Sequence, residues 1–124
     1  MKVNNQLSTA GILMALAIVL GAFGAHMLEG KLSPYHVDIW GKAVLYHALN
    51  TLGLFAISLS ALHFKISLKT PYYLVLAGII IFSGSLYSLA LTDIRVLGAI
   101  TPIGGVSFIA GWITYSWQLS KATS

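Results

Sequence analysis

Residues 7–28 read LSTAGILMALAIVLGAFGAHML, and this stretch decides the fold. Only Ser8, Thr9 and His26 interrupt its apolarity. At ~1.5 Å per helical residue it exceeds the ~30 Å of hydrocarbon in a bilayer. Lys2 and the small residues at Ala22-Phe23-Gly24 also fit a cleavable leader. The apolar core is too long for that reading and the rest of the chain is equally apolar, so the run is read as a first membrane helix.

Three more runs follow, from Trp40 to His63, from Tyr72 to Thr92 and from Val96 to Trp117. Polar connections containing Pro34, Lys65 and Lys69, and Asp93-Ile94-Arg95 separate them. Trp40 and the Tyr72-Tyr73 pair are expected at the membrane interface, where amphipathic rings are enriched, and Pro71 at the first position of the third helix. The chain is 57% hydrophobic and 8% charged, against roughly 45–50% and about 25% in an ordinary soluble domain. Its mean hydropathy is +0.85, and so few charges cannot give a globule of 124 residues a polar surface. The fold class expected is all-α: a polytopic integral membrane protein of four transmembrane helices in a single domain, residues 1–124, with spans near 7–28, 40–63, 72–92 and 96–117.

The absence of cysteine excludes disulfides, thiolate metal sites and cysteine nucleophiles. A net charge of +4 does not indicate nucleic acid, because the seven cations are scattered singly between apolar runs. Their information is topological. With four spans, Lys2, Lys65, Lys69 and Lys121 share one face, and Lys31, Lys42 and Arg95 share the other with Glu29, Asp38 and Asp93. The positive-inside rule then favours cytoplasmic termini by a small margin.

Polar residues inside spans must find partners or line a cavity. Tyr46, His47 and Asn50 share a face of the second helix, and Ser83, Tyr87 and Ser88 share one of the third. Counted at ~1.5 Å per residue from Trp40 and from Tyr72, the two sets fall at matching depths in the outer half of the membrane. Three readings remain open: an interhelical hydrogen-bond network pairing residues such as Asn50 and Ser83, a polar pocket for a head group or small solute, or a proton relay. His26 and His47 are separated by on the order of 10 Å in depth and have no third nitrogen ligand at either level, so neither a metal nor a haem is expected, and no other cofactor. His36 and His63, next to loops, are read as solvated. All three acids lie at one face and no nucleophile motif is present, which argues against a hydrolase. A proton-coupled exporter would place an acid inside a span, and residues 7–28 hold none.

The fourth segment carries Thr101-Pro102-Ile103-Gly104-Gly105. Proline removes a backbone hydrogen bond and glycine lowers helix propensity by about 1 kcal/mol, so a kink or break is expected there. Non-helical backbone inside a membrane must be covered by protein or cavity. Thr101, Pro102, Gly104 and Gly105 are therefore expected to face inward, toward His26 and Tyr87. Small residues at helical spacing, Gly21 with Ala25, Gly53 with Ile57, Gly84 with Ser88 and Ser107 with Gly111, point to close helix packing within the chain or between copies. Ala10-Gly11-Ile12 and Ala77-Gly78-Ile79 are too short to establish a repeat.

GAFGAH (residues 21–26), FSGSLY (residues 82–87) and TPIGG (residues 101–105) with the later Gly111-Trp112 resemble the domain of unknown function 423 family, also called uncharacterised protein family 0382. The eukaryotic transmembrane protein 256 is similar. The resemblance spans nearly the whole chain and implies a small four-helix protein of the bacterial cytoplasmic (inner) membrane without an established molecular activity. One departure concerns the polar layer: the family usually reads Tyr-Gln-x-x-His where this chain has Tyr46-His47-Ala48-Leu49-Asn50. An imidazole required at the position of Asn50 is thus in doubt. The function expected is a non-enzymatic binding or membrane-organising module; the alternative is a small-solute or ion pathway formed in an oligomer. Membrane lipids and a second copy of the chain are the expected partners.

Overall fold

The computed structural model describes residues 1–28 and 30–122. Glu29, counted above among the acids of one face, lies outside the described residues. Helix α1 covers Val3–Phe23 and continues through a wider π turn, Gly24–Leu28; α2 covers Pro34–Phe64. The third span is α3, Lys69–Gly78, a second π turn at Ile79–Ser83, and α4, Gly84–Thr92; the fourth is α5, Leu97–Ser120. All four spans are long and apolar enough to cross a membrane.

The second helix starts earlier than its apolarity suggests. Ser33 caps it by accepting from the His36 N–H at 3.2 Å, and Pro34 takes the first helical position, where a missing N–H is harmless. The polar connection expected before Trp40 is therefore helical from Pro34 onward. Trp40 moves inward with it: it is 4% exposed and wedged between α1 and α4, its Nε1–H donating to the Leu20 carbonyl at 2.8 Å. Gly24 allows this, because a Cβ there would collide with the indole ring. Tyr72 is likewise buried, donating to the Gln6 carbonyl at 2.7 Å, and Pro71 stands third in α3. Both rings are thus packed between helices and not turned outward.

No break occurs at Pro102. α5 is helical from Leu97 through the Thr101–Gly105 stretch to Ser120. The proline lies early in the helix, where the carbonyl it crowds is that of Gly98, and the Thr101 hydroxyl donates to the Leu97 carbonyl at 3.2 Å.

α2 and the third span form the centre, with α1 packed against α2 and α5 against the third span. Burial follows that order: 44% and 39% of the most apolar windows of the second and third spans are buried, against 11% and 17% in the first and fourth. Two apolar cores result. One gathers Leu54, Ile57, Tyr72, Val75, Ile79 and Phe108; the other, nearer the Asp93 turn, gathers Leu28, Ile39, Trp40, Leu89 and Ala90. The small-residue pairs are used unevenly. Gly21 meets Val44, Gly53 lies beneath the Trp112 ring and Gly111 against Val75, whereas Gly84 has open space where a Cβ would stand and Ala25 is exposed.

Candidate functional site

Between the two cores lies a layer of polar side chains. His47 is 1% exposed, and its Nδ1 shares a hydrogen bond with the Tyr87 hydroxyl at 2.9 Å. The indole of Trp40 meets the Tyr87 ring edge-on with centroids 4.7 Å apart, closing the layer toward the Asp93 turn. Nε2 of His47 is buried and has no hydrogen-bond partner among the described residues.

Asn50 and Ser83 are both buried, as a polar layer requires, but they bond to different groups. Asn50 donates from Nδ2 to the Tyr46 carbonyl at 2.9 Å and accepts at Oδ1 from Trp112 Nε1–H at 3.0 Å. Ser83 donates to the Ala43 carbonyl of α2 at 2.8 Å. Ser83 ends the π turn of the third span, and the extra residue in that turn leaves neighbouring backbone free to pack on α5. Ser85 shares a 2.6 Å hydrogen bond with Thr101, which ties α4 to α5. Ser60 with Tyr115 at 2.8 Å, and Ser107 with the Leu74 carbonyl at 2.6 Å, add further bonds between helices.

The sequence-derived residues thus divide into three groups. His47, Tyr87, Asn50 and Ser83 form the layer, with Thr101 in an adjoining bond; Tyr46 contributes its carbonyl while its ring, 40% exposed, packs on Phe82 at 4.7 Å between centroids. Gly104 is buried against the Phe82 backbone and Gly105 near the Phe82 ring, whereas Pro102 is exposed. The Thr101–Gly105 stretch therefore faces the third span through Thr101 and Gly104, not His26. His26 lies in the π turn ending the first span and is exposed, outside the layer. Sequence reasoning missed Trp112 and Trp40; the Gly111-Trp112 pair carried the signal for the first.

A second polar cluster occupies the face with the acids. Ser33 Oγ and His36 Nδ1 are 2.6 Å apart, and His36 Nε2 is 2.8 Å from Asp93 Oδ1. His36, read from sequence as solvated, thus joins the start of α2 to the turn before α5. The His36 hydrogen bond holds the Asp93 carboxyl below the usual carboxylate range. The order serine, histidine, carboxylate is that of a hydrolase triad, but Ser33 is occupied as a helix cap and Asp93 is 53% exposed at its side chain, so the cluster is a clasp between loops. The pattern Ser-Pro-x-His, a cap followed by proline at the first helical position, was its sequence signal. Among the described residues no group of three or more His, Cys, Asp or Glu side chains could hold a metal ion.

A family model described as "Protein of unknown function (DUF423)" matches residues 20–105. A UPF0382 membrane protein of Staphylococcus epidermidis is 53% identical over 98 residues, covering 79% of this chain and 80% of that protein. The UPF0382 membrane protein YwdK of Bacillus subtilis is 51% identical over 100 residues, covering 79% of this chain and 81% of that protein. Neither name states an enzymatic activity. No solved structure matches the chain. A match over these residues, with relatives at this identity along four-fifths of their own length, means that the chain belongs to the DUF423 (UPF0382) family of membrane proteins, for which no molecular activity is established.

Proposed function

We propose that the protein is a non-enzymatic binding or membrane-organising module of the bacterial cytoplasmic membrane, in which the polar layer clamps the second, third and fourth spans together. The observation that carries this reading is the bonding of the layer. Asn50 with Trp112, His47 with Tyr87, Ser83 with Ala43 and Ser85 with Thr101 each join two different helices. A membrane interior must satisfy its polar groups internally, and bonds between helices do so while fixing their relative rotation. The outward faces of the first and fourth spans, with Ile12, Ile18, Ile103 and Ile109 more than half exposed, are covered by lipid.

Both termini are placed on the cytoplasmic side, since four cations lie there against three on the other face. Lys31→Cys should then react with a membrane-impermeant maleimide in intact cells and Ser67→Cys only after lysis; the reverse pattern overturns this orientation. Lys31 is the better outside reporter because Ser33 caps α2.

One observation favours a pathway through an oligomer, namely the buried His47 Nε2, which has no hydrogen-bond partner among the described residues. Proteoliposomes carrying a proton gradient separate the two readings. The clamp predicts decay at the rate of protein-free liposomes. A protein-dependent leak that His47→Gln abolishes, while the melting temperature is retained, establishes the pathway.

A further inference from the structure

At the end of the bundle opposite the Asp93 turn, a cleft of about 750 Å³ opens between the start of α1 and the connection from α2 to α3. Lys2, Lys65 and Lys69 line it, and no acidic side chain does. Asp38 and Asp93 are bonded at the other face. Three lysine ammonium groups around one cleft, with no carboxylate in its lining among the described residues, give a concentrated positive potential, which low-dielectric walls strengthen.

The backbone adds to it. Two helices begin at this cleft, α1 at Val3 and α3 at Lys69, and neither has a capping side-chain hydrogen bond or an acidic residue in its first turn. Their first N–H groups and the positive ends of their dipoles are therefore left for an anion.

A separate observation points to a ligand. Gln6 is 3% exposed yet lines the cleft. Its Oε1 accepts from the Ser58 hydroxyl at 3.2 Å and its backbone carbonyl from Tyr72 at 2.7 Å. The amide is held with its oxygen taken, and no acceptor for its Nε2 hydrogens is found among the described residues. A carboxamide whose oxygen is bonded inside the protein and whose nitrogen is not among the buried unpaired atoms presents donors to the cleft, and next to lysines and free helix N–H groups these match phosphate oxygens. Ala61, Leu62, Ile66 and Leu68 give the same cleft an apolar wall. A soluble anion has no use for that wall, whereas the acyl region beneath a headgroup does.

We propose that this cleft binds the phosphate of an anionic phospholipid headgroup through Lys2, Lys65, Lys69 and the amide of Gln6. The site is remote from His47, so it stands or falls independently of the clamp. The same phosphate chemistry could be offered by a free anion, and the test separates the two sources.

Full-length protein in a non-ionic detergent is titrated with phosphatidylglycerol, with phosphatidylcholine and with inorganic phosphate, following the melting temperature. The expected result is a saturable rise with phosphatidylglycerol and none with phosphatidylcholine. Combining Lys2→Gln, Lys65→Gln and Lys69→Gln should weaken it at least about tenfold, given the contribution of each cation to anionic lipid binding. All three side chains are exposed, so their replacement leaves the packed interior intact. Gln6→Glu, which keeps the acceptor used by Ser58 but adds a negative charge, should also weaken it. The charge-matched set Lys31→Gln, Lys42→Gln and Arg95→Gln on the other face should not. Equal weakening by both sets, or a rise that survives the Lys2, Lys65 and Lys69 changes, overturns the site. Saturation by millimolar phosphate with no response to phosphatidylglycerol overturns the lipid assignment in favour of a free anion.

Discussion

Replacing Gly104 by leucine should separate the third and fourth spans and abolish a cooperative melting transition. Replacing the adjacent Gly105 by alanine should leave stability unchanged or raise it. The contrast follows from what each position faces. A Cβ at Gly104 would stand 2.8 Å from Phe82 Cα and closer still to the Phe82 backbone nitrogen. Backbone cannot rotate aside as a side chain can, so α5 itself must shift. Overpacking of this kind costs about 1–3 kcal/mol for small additions. A full leucine exceeds what the helix can absorb, although it is more apolar and more helix-favouring than glycine. At Gly105 the same Cβ would meet the Phe82 ring at 3.9 Å, an ordinary contact, and gains up to about 1 kcal/mol of helix propensity. Thermal unfolding in detergent, read by circular dichroism, distinguishes the two variants. A Gly104→Leu protein that melts like the parent means that the helices do not approach at Phe82.

Trp112→Ala should be the next most damaging change, lowering stability by about 2–4 kcal/mol, near the range for truncating a large aromatic side chain. Its ring covers Gly53 on α2, packs edge-on against Tyr115 with centroids 5.6 Å apart, and donates to Asn50. Together with the Tyr115 to Ser60 bond it ties the fourth span to the second. Trp112→Phe keeps much of the ring contact and loses the donor, for which about 0.6 kcal/mol is the typical value between membrane helices. Asn50→Leu combined with Trp112→Phe should be less destabilising than the sum of the two, because the lost bond is counted once. Asn50→Leu with Ser83→Ala should add, since Ser83 bonds to the Ala43 carbonyl. Coupling of Asn50 to Ser83, with none to Trp112, would mean that the interior is arranged differently.

The spans were legible because hydropathy over ~20 residues reports length in hydrocarbon, which needs no knowledge of packing. The same measure carries little about rotation. Trp40 and Tyr72 have the amphipathic character of interfacial rings, and only the register set by the Ser33 cap and by the Gln6 carbonyl turns them inward. His26 was expected beside an inward-facing Thr101–Gly105 stretch; it lies instead in the π turn at Gly24–Leu28 with its side chain exposed, a local change of helix type that hydropathy does not announce. His47, Asn50, Ser83 and Tyr87 were found because a polar group inside a span must be explained wherever it points. The partners of Asn50 and Ser83 were not, because the Trp112 indole counts as apolar in a hydropathy reading and the Ala43 carbonyl is backbone. The Thr101–Gly105 stretch, expected to be kinked or broken, is helical throughout: Pro102 stands in the second turn of a long helix, where it costs the single backbone hydrogen bond to the Gly98 carbonyl.

The claim that the layer is a closed clamp is tested most directly by water-edited solid-state NMR of the protein in lipid bilayers, with histidine side chains labelled with nitrogen-15. The clamp predicts that the His47 imidazole receives magnetisation from water slowly, as the buried core does, while exposed His26 and His63 receive it fast. A His47 signal that builds up as quickly as those two would place water at Nε2, and the layer would then line a hydrated path instead of holding the helices together.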